Sequence, residues 1–176
     1  MSLSYHNRRP MFQANFDAGE CRRPPEARTV DSAFREAQAL EATGERASAR
    51  DAYLAILAAD PTHLGALTNL GTLLTYSGFK RAGRLAYAQA VAAHPNDLRA
   101  RTNFAAALLD AGESAEALAQ YEAALGIDPL SLDAHQGLAL LHARNNAWEQ
   151  ARTHARIGFA PRPVRRAPPR GETERT

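Results

Sequence analysis

Cysteine is nearly absent from this chain: Cys21 is the only one in 176 residues. A single thiol closes no internal disulfide and builds no cysteine metal centre. Cys21 also stands in a Pro/Arg-rich leader rather than a formed pocket, which argues against a nucleophile. Lysine is as scarce, with Lys80 alone, and the arginine and alanine excess reads first as the codon bias of a GC-rich genome. No window approaches ~18 uninterrupted apolar residues, so no membrane span or membrane partner is expected. The twin arginine Arg8–Arg9 has no apolar segment behind it, which argues against an export signal and for the cytoplasm. There is no G-x-S-x-G, no glycine-rich phosphate loop and no H-E-x-x-H. The expectation is therefore a non-enzyme with no cofactor, no metal and no small-molecule substrate.

What is present is an ordinary soluble composition, 45% apolar and 23% charged. The length suits one domain with tails. Charge is unevenly spread. Residues 1–30 sum to +2 and 160–176 to +3, leaving a body of −3. The basic character belongs to the ends. Residues 1–29 show no period, and 164–176 are rich in arginine and proline, so both are expected to be disordered. An arginine-rich end can touch nucleic acid, but base stacking needs aromatics beside the charge and this tail has none, which argues against a nucleic-acid partner.

The body is periodic. Pro61, Pro95, Pro129 and Pro163 are spaced by 34 residues, as are Gly44, Gly78 and Gly112, with Asn146 next in that series. Tyr53, Tyr87 and Tyr121 keep the same period, and so do Ala49, Gly83, Ala117 and Ala151. At a proline frequency of about 5%, three further prolines in register arise by chance about once in 10⁴. Repeats at about 30–63, 64–97, 98–131 and 132–163 follow.

Each unit reads as two helices. In the second, Leu67, Leu70, Gly71 and Leu74 follow helical spacing. Gly78 supplies a left-handed stop, a second helix starts near Lys80 with Gly83, Tyr87, Ala90 and Val91 on one stripe, and Pro95 closes it. The third unit repeats this through Phe104, Ala105, Leu108, Gly112, Ala117, Tyr121, Ala124 and Pro129.

The period and the Leu-Gly, Tyr, Ala and Pro columns resemble the tetratricopeptide repeat (TPR) over residues 30–163. The second and third units match best. The first departs at Glu36, and the fourth at His142 and Ala155. The resemblance implies an all-α fold, a right-handed superhelix of antiparallel helix pairs, with first helices on the concave wall and second helices outside. It further implies a protein-interaction module that takes an extended peptide or partner protein in its groove. The alternative is a recruitment arm of a glycosyltransferase- or methyltransferase-like enzyme whose catalytic domain lies outside this chain.

On the expected groove face stand Asn69, Thr72, Tyr76, Arg99, Thr102, Asn103, Asp110 and Gln136. Asn69 and Asn103 share one column. An amide carries both donor and acceptor, so it can grip a peptide unit bidentately. Such a column resembles the ladder in the TPR domain of O-linked N-acetylglucosamine transferases. Here it has two rungs, flanked by Arg35 and Gly137, with Gln136 as a substitute beside the gap. The competing reading has these asparagines bonding neighbouring helices. The carboxylate clamp of chaperone-tail-binding members is not reproduced: its places read Phe34, Gln38, Asn69, Arg99 and Asn103. His135 and His142 lie seven apart on one helix, with His154 across from them, but in packing columns without a third ligand type. They are expected to be packed, hydrogen-bonded histidines. Pro161 and Pro163 oppose a further helix, so Trp148, Ile157 or Phe159 should stay partly uncovered and favour a weak homodimer through that end.

Overall fold

The computed structural model describes residues 29–159. The expected leader and tail, and Cys21, lie outside the described residues. The described chain forms eight helices: α1 (Val30–Ala42), α2 (Arg46–Ala59), α3 (Leu64–Tyr76), α4 (Lys80–Ala93), α5 (Leu98–Asp110), α6 (Ser114–Ile127), α7 (Leu132–Arg144) and α8 (Trp148–Gly158). They pair as α1/α2, α3/α4, α5/α6 and α7/α8, and each pair packs on the next. The result is the expected all-α repeat solenoid.

The stops between paired helices are chemical. Gly44, Gly78 and Gly112 have φ of +84°, +89° and +82°, and Asn146 takes the same role at φ 58°. At the end of α3 the Phe79 amide donates to the Leu74 carbonyl and the Gly78 amide to the Thr75 carbonyl. This is the Schellman arrangement, which needs a left-handed residue at Gly78. First helices begin on side-chain caps: Thr29, His63, Asp97 and Ser131 each accept from a backbone amide three residues on.

Small residues set the spacing within a unit. A Cβ on Gly83 would lie 2.7 Å from the Gly71 carbonyl oxygen, so α3 and α4 touch backbone to backbone. Ala37, Ala49, Ala105 and Ala117 hold the same places in their units and are fully buried. The tyrosines Tyr53, Tyr87 and Tyr121 are buried as well. Tyr87 and Tyr121 share one apolar cluster with Phe104, Leu108, Leu138 and Leu141, which runs across three units. No unit closes its core alone, as expected for a stacked array.

First helices of successive units reach one another, α3 to α5 and α5 to α7, with no comparable contact between second helices. The first helices therefore form the tighter, inner wall.

Candidate functional site: the inner wall

Two hollows adjoin on this wall. One, about 290 Å³, lies between α3 and α5 and is lined by Thr72, Tyr76, Tyr87, Asn103, Ala106 and Asp110, among others. The other, about 390 Å³, lies between α5 and α7 over Tyr121, with Thr102, Asn103, Asp133, Gly137 and Leu140 around it and Phe159 at its end. Asn103 and Ala106 line both, so they form the ridge between the hollows.

The expected residues fall into two groups by what their polar atoms already do. The Asn69 amide nitrogen donates to the Tyr53 hydroxyl at 3.1 Å, and that hydroxyl donates to the Glu41 carboxylate at 2.7 Å. Burial and the Glu41 carboxylate hold the Tyr53 phenol well above its usual range. The expectation of a free Asn69 amide is therefore corrected: the preceding unit's tyrosine occupies its donor. Gln136 is engaged too, donating to the Gly158 carbonyl at 2.6 Å, where α8 comes too close to α7 for anything but glycine. The Thr102 hydroxyl is buried and donates back to the Leu98 carbonyl at 3.0 Å, leaving only its carbon face to the hollow. Thr72 donates to the Thr68 carbonyl at 3.0 Å and pairs with the Tyr87 hydroxyl at 2.9 Å.

The second group keeps its polar atoms available. Asn103 is half-buried and makes no hydrogen bond to another described residue. Tyr87, which stands to Asn103 as Tyr53 does to Asn69, has its hydroxyl against Thr72 at 2.9 Å. Arg99 is exposed and forms no ion pair with a described residue. Tyr76 is 80% exposed, an aromatic face standing at the mouth of the first hollow. Asp110 is exposed, but Lys80 and Arg144 each approach it to 3.9 Å, so its charge is partly compensated within the chain.

The Asn column carries Gly137 in the fourth unit, and that gap is filled from behind. A Cβ at Gly137 would lie 2.1 Å from the Tyr121 ring, so the ring occupies the asparagine's place. Burial, with the Asp110 charge adding to it, pushes the Tyr121 phenol up to about 12. Tyr121 was expected only as packing, yet it also floors the second hollow. A constant offset of 16 residues relates Tyr53 to Asn69, Tyr87 to Asn103 and Tyr121 to Gly137, and marks this junction in the sequence.

The histidines sit as expected. His135 is buried; its Nδ1 lies 2.8 Å from the His154 Nδ1 and its Nε2 3.1 Å from the Pro129 carbonyl oxygen. His142 stacks on His154 with centroids 5.5 Å apart. Among the described residues no group of three His, Cys, Asp or Glu side chains is arranged to hold a metal ion. Among them, too, no helix is long and apolar enough to cross a membrane.

The sequence matches the tetratricopeptide repeat family at residues 68–131 and again at 102–158. No curated protein matches the chain. Similar solved structures include a crystal structure of MamA, at TM-score 0.68 and 19% identity over 76% of this chain and 78% of that one. MamA 41-end from Desulfovibrio magneticus RS-1 gives 0.67 and 21%, covering 76% of each chain. A likeness at this identity is one of fold.

Proposed function

Because the chain belongs to the tetratricopeptide repeat family, we propose that it is a protein-interaction module whose inner wall holds an extended segment of a partner protein. The observation that carries this reading is Asn103: a half-buried amide without a described partner, on the ridge shared by two hollows. A peptide laid along the wall crosses that ridge, and one amide can both donate to and accept from its backbone. Arg99, one turn before Asn103 on α5, supplies a free positive charge for an acidic residue of the segment. Tyr76 offers an aromatic face to an apolar one. Asn69 bonds the preceding unit's Tyr53 and so holds two units in register, while Gln136 and Thr102 line the second hollow with hydroxyl or amide protons engaged within their own unit.

The test is selection of linear peptides from a random library on the full chain, followed by side-chain amide NMR. The selected peptide is expected to shift the Asn103 amide resonances and to leave those of Asn69 nearly still. Asn103→Ala should weaken binding by about three- to tenfold, in line with one net hydrogen bond. Shifts confined to the outer helices α4 and α6 would overturn the reading.

A further inference from the structure

The two ends of the solenoid differ in kind. At the first end, the residues of α1 that hold the inter-unit columns are Ser32, Arg35, Glu36 and Ala39, and all are exposed. Their counterparts Ala66, Leu70 and Leu73 in α3, and Ala134, Leu138 and Leu141 in α7, are buried against the preceding unit. At two of these places, Ser32 and Glu36, the first end carries polar side chains where the second and fourth units carry apolar ones, as a capping unit does.

Among the described residues the last end carries no such cap. Phe159 occupies the column of Leu57, Val91 and Leu125, each of which packs against a core cluster that spans neighbouring units. Phe159 is instead 69% exposed, and Trp148, at the start of α8, is 60% exposed. Ala155 stands in the tyrosine column, so the bulk that closes earlier units is missing. What remains is an apolar trough of about 440 Å³ along α7 and α8, lined by Leu140, Ala143, Trp148, Ala151, Ala155 and Phe159 with few polar neighbours. It is the seat that the next unit's first helix would take.

Charge along the rim says what fits. Glu149, Arg152 and Arg156 follow i, i+3, i+7 spacing and so form one ridge of α8 beside the trough. The ridge is acidic in the first turn and basic in the last. Arg152 reaches Glu149 at 3.5 Å within the helix, and laid antiparallel against itself such a helix also sets Glu149 opposite Arg156 twice, once on each side of a two-fold axis. Head-to-tail stacking would set the apolar trough on the polar face of α1 and leave it poorly matched. We infer that a second copy of this chain occupies the trough, in a two-fold dimer with α8 against α8. An isologous contact of this kind closes on itself and stops at two copies.

Trp148 is the only tryptophan, so its emission reports on this face alone. Sedimentation velocity of the full chain over a concentration series is expected to show a monomer–dimer equilibrium, with Trp148 emission moving to the blue as dimer forms. Phe159→Asp, at an exposed position, should keep the circular dichroism of the parent and weaken dimerisation by about tenfold or more, as loss of an aromatic anchor does. Glu149→Arg or Arg156→Glu alone should weaken it by about threefold, and the double exchange should restore it. A chain that stays monomeric to its solubility limit would overturn the proposal, whether Trp148 emission is red, as for an open face, or already blue, as for a face covered by another segment of the same chain. So would a dimer indifferent to Phe159→Asp, or one that the double charge exchange fails to restore.

Discussion

The Asn69 amide donates to the Tyr53 hydroxyl at 3.1 Å, whereas Asn103, one repeat later in the same column, has no such partner among the described residues. The two preceding tyrosines have different partners. The Tyr53 hydroxyl gives its proton to Glu41 and is left as an acceptor for Asn69. The Tyr87 hydroxyl pairs with Thr72 on its own unit's first helix. Position 72 in the first unit's frame is Gln38, which is exposed and makes no such bond. The same column thus holds one engaged amide and one without a described partner.

The two alanine substitutions should consequently part ways. Asn69→Ala removes a bond within the fold and should lower stability by about 0.5–1.5 kcal/mol, with peptide affinity per folded molecule unchanged. Asn103→Ala should leave the melting temperature near that of the parent and reduce affinity. Denaturant titration beside calorimetric binding of a selected peptide reads both quantities. Equal destabilisation by the two variants would mean that Asn103 has an internal partner in solution.

The tyrosine column predicts a graded series. Tyr121→Ala removes a buried ring shared by three units and should cost about 3–5 kcal/mol. Tyr121→Phe should be nearly neutral, because its hydroxyl bonds no described residue. Tyr53→Phe should cost about 1–3 kcal/mol, since it strips Glu41 and Asn69 of a shared partner at once. Equilibrium unfolding of the three variants checks the order. A Tyr121→Phe loss matching that of Tyr53→Phe would contradict it.

Repeat number, helix pairing, the glycine stops and the inner wall were all legible in the sequence, because each repeats at a period of 34 and its local chemistry is strong. Gly44, Gly78, Gly112 and Asn146 could be placed from spacing alone, since a left-handed stop admits few residue types. The state of individual groove amides was not legible. Asn69 and Asn103 hold identical columns, yet only Asn69 bonds the tyrosine 16 residues upstream. Gln136 lines the second hollow, but that its amide donates to the Gly158 carbonyl was not legible, because the bond exists only where two helices close to glycine distance. Backbone approach of that kind leaves no mark beyond a lone glycine. The uncovered end was legible, because it follows from which columns Trp148 and Phe159 hold and from the prolines after them.

Two glycines should respond oppositely to the same change. A Cβ at Gly137 meets the Tyr121 ring at 2.1 Å, and the ring is locked in the core, so Gly137→Ala should destabilise by about 1–3 kcal/mol. Gly126, within α6, has nothing within 4 Å of the added carbon. Gly126→Ala should stabilise by roughly 0.5–1 kcal/mol through helix propensity and reduced freedom of the unfolded chain. Thermal melts of the two variants give the signs. Two shifts in the same direction would place the Tyr121 ring elsewhere.

The last junction, α7 with α8, should respond to acid. His135 gives its Nε2 proton to the Pro129 carbonyl, so its neutral Nδ1 accepts from the Nδ1–H of His154. A proton added to the free Nε2 of His154 keeps that bond but puts a positive charge into the junction, beside His135 and His142. Burial, then the charges of His135 and His142, hold the His154 pKa below its ordinary value of 6.5. The sign follows from which state binds the proton first. Above about pH 6.5 neither state holds it on His154, and the junction contributes in full. As pH falls below that, the unfolded chain takes up the proton before the folded one, and stability declines toward the lower folded value. Urea midpoints should therefore be level from pH 8 to 7 and fall from pH 6.5 to 5, and His154→Gln should flatten part of that fall. A midpoint that rises on acidification, or a slope unchanged by His154→Gln, would show that the His135–His154 bond does not govern this end of the fold.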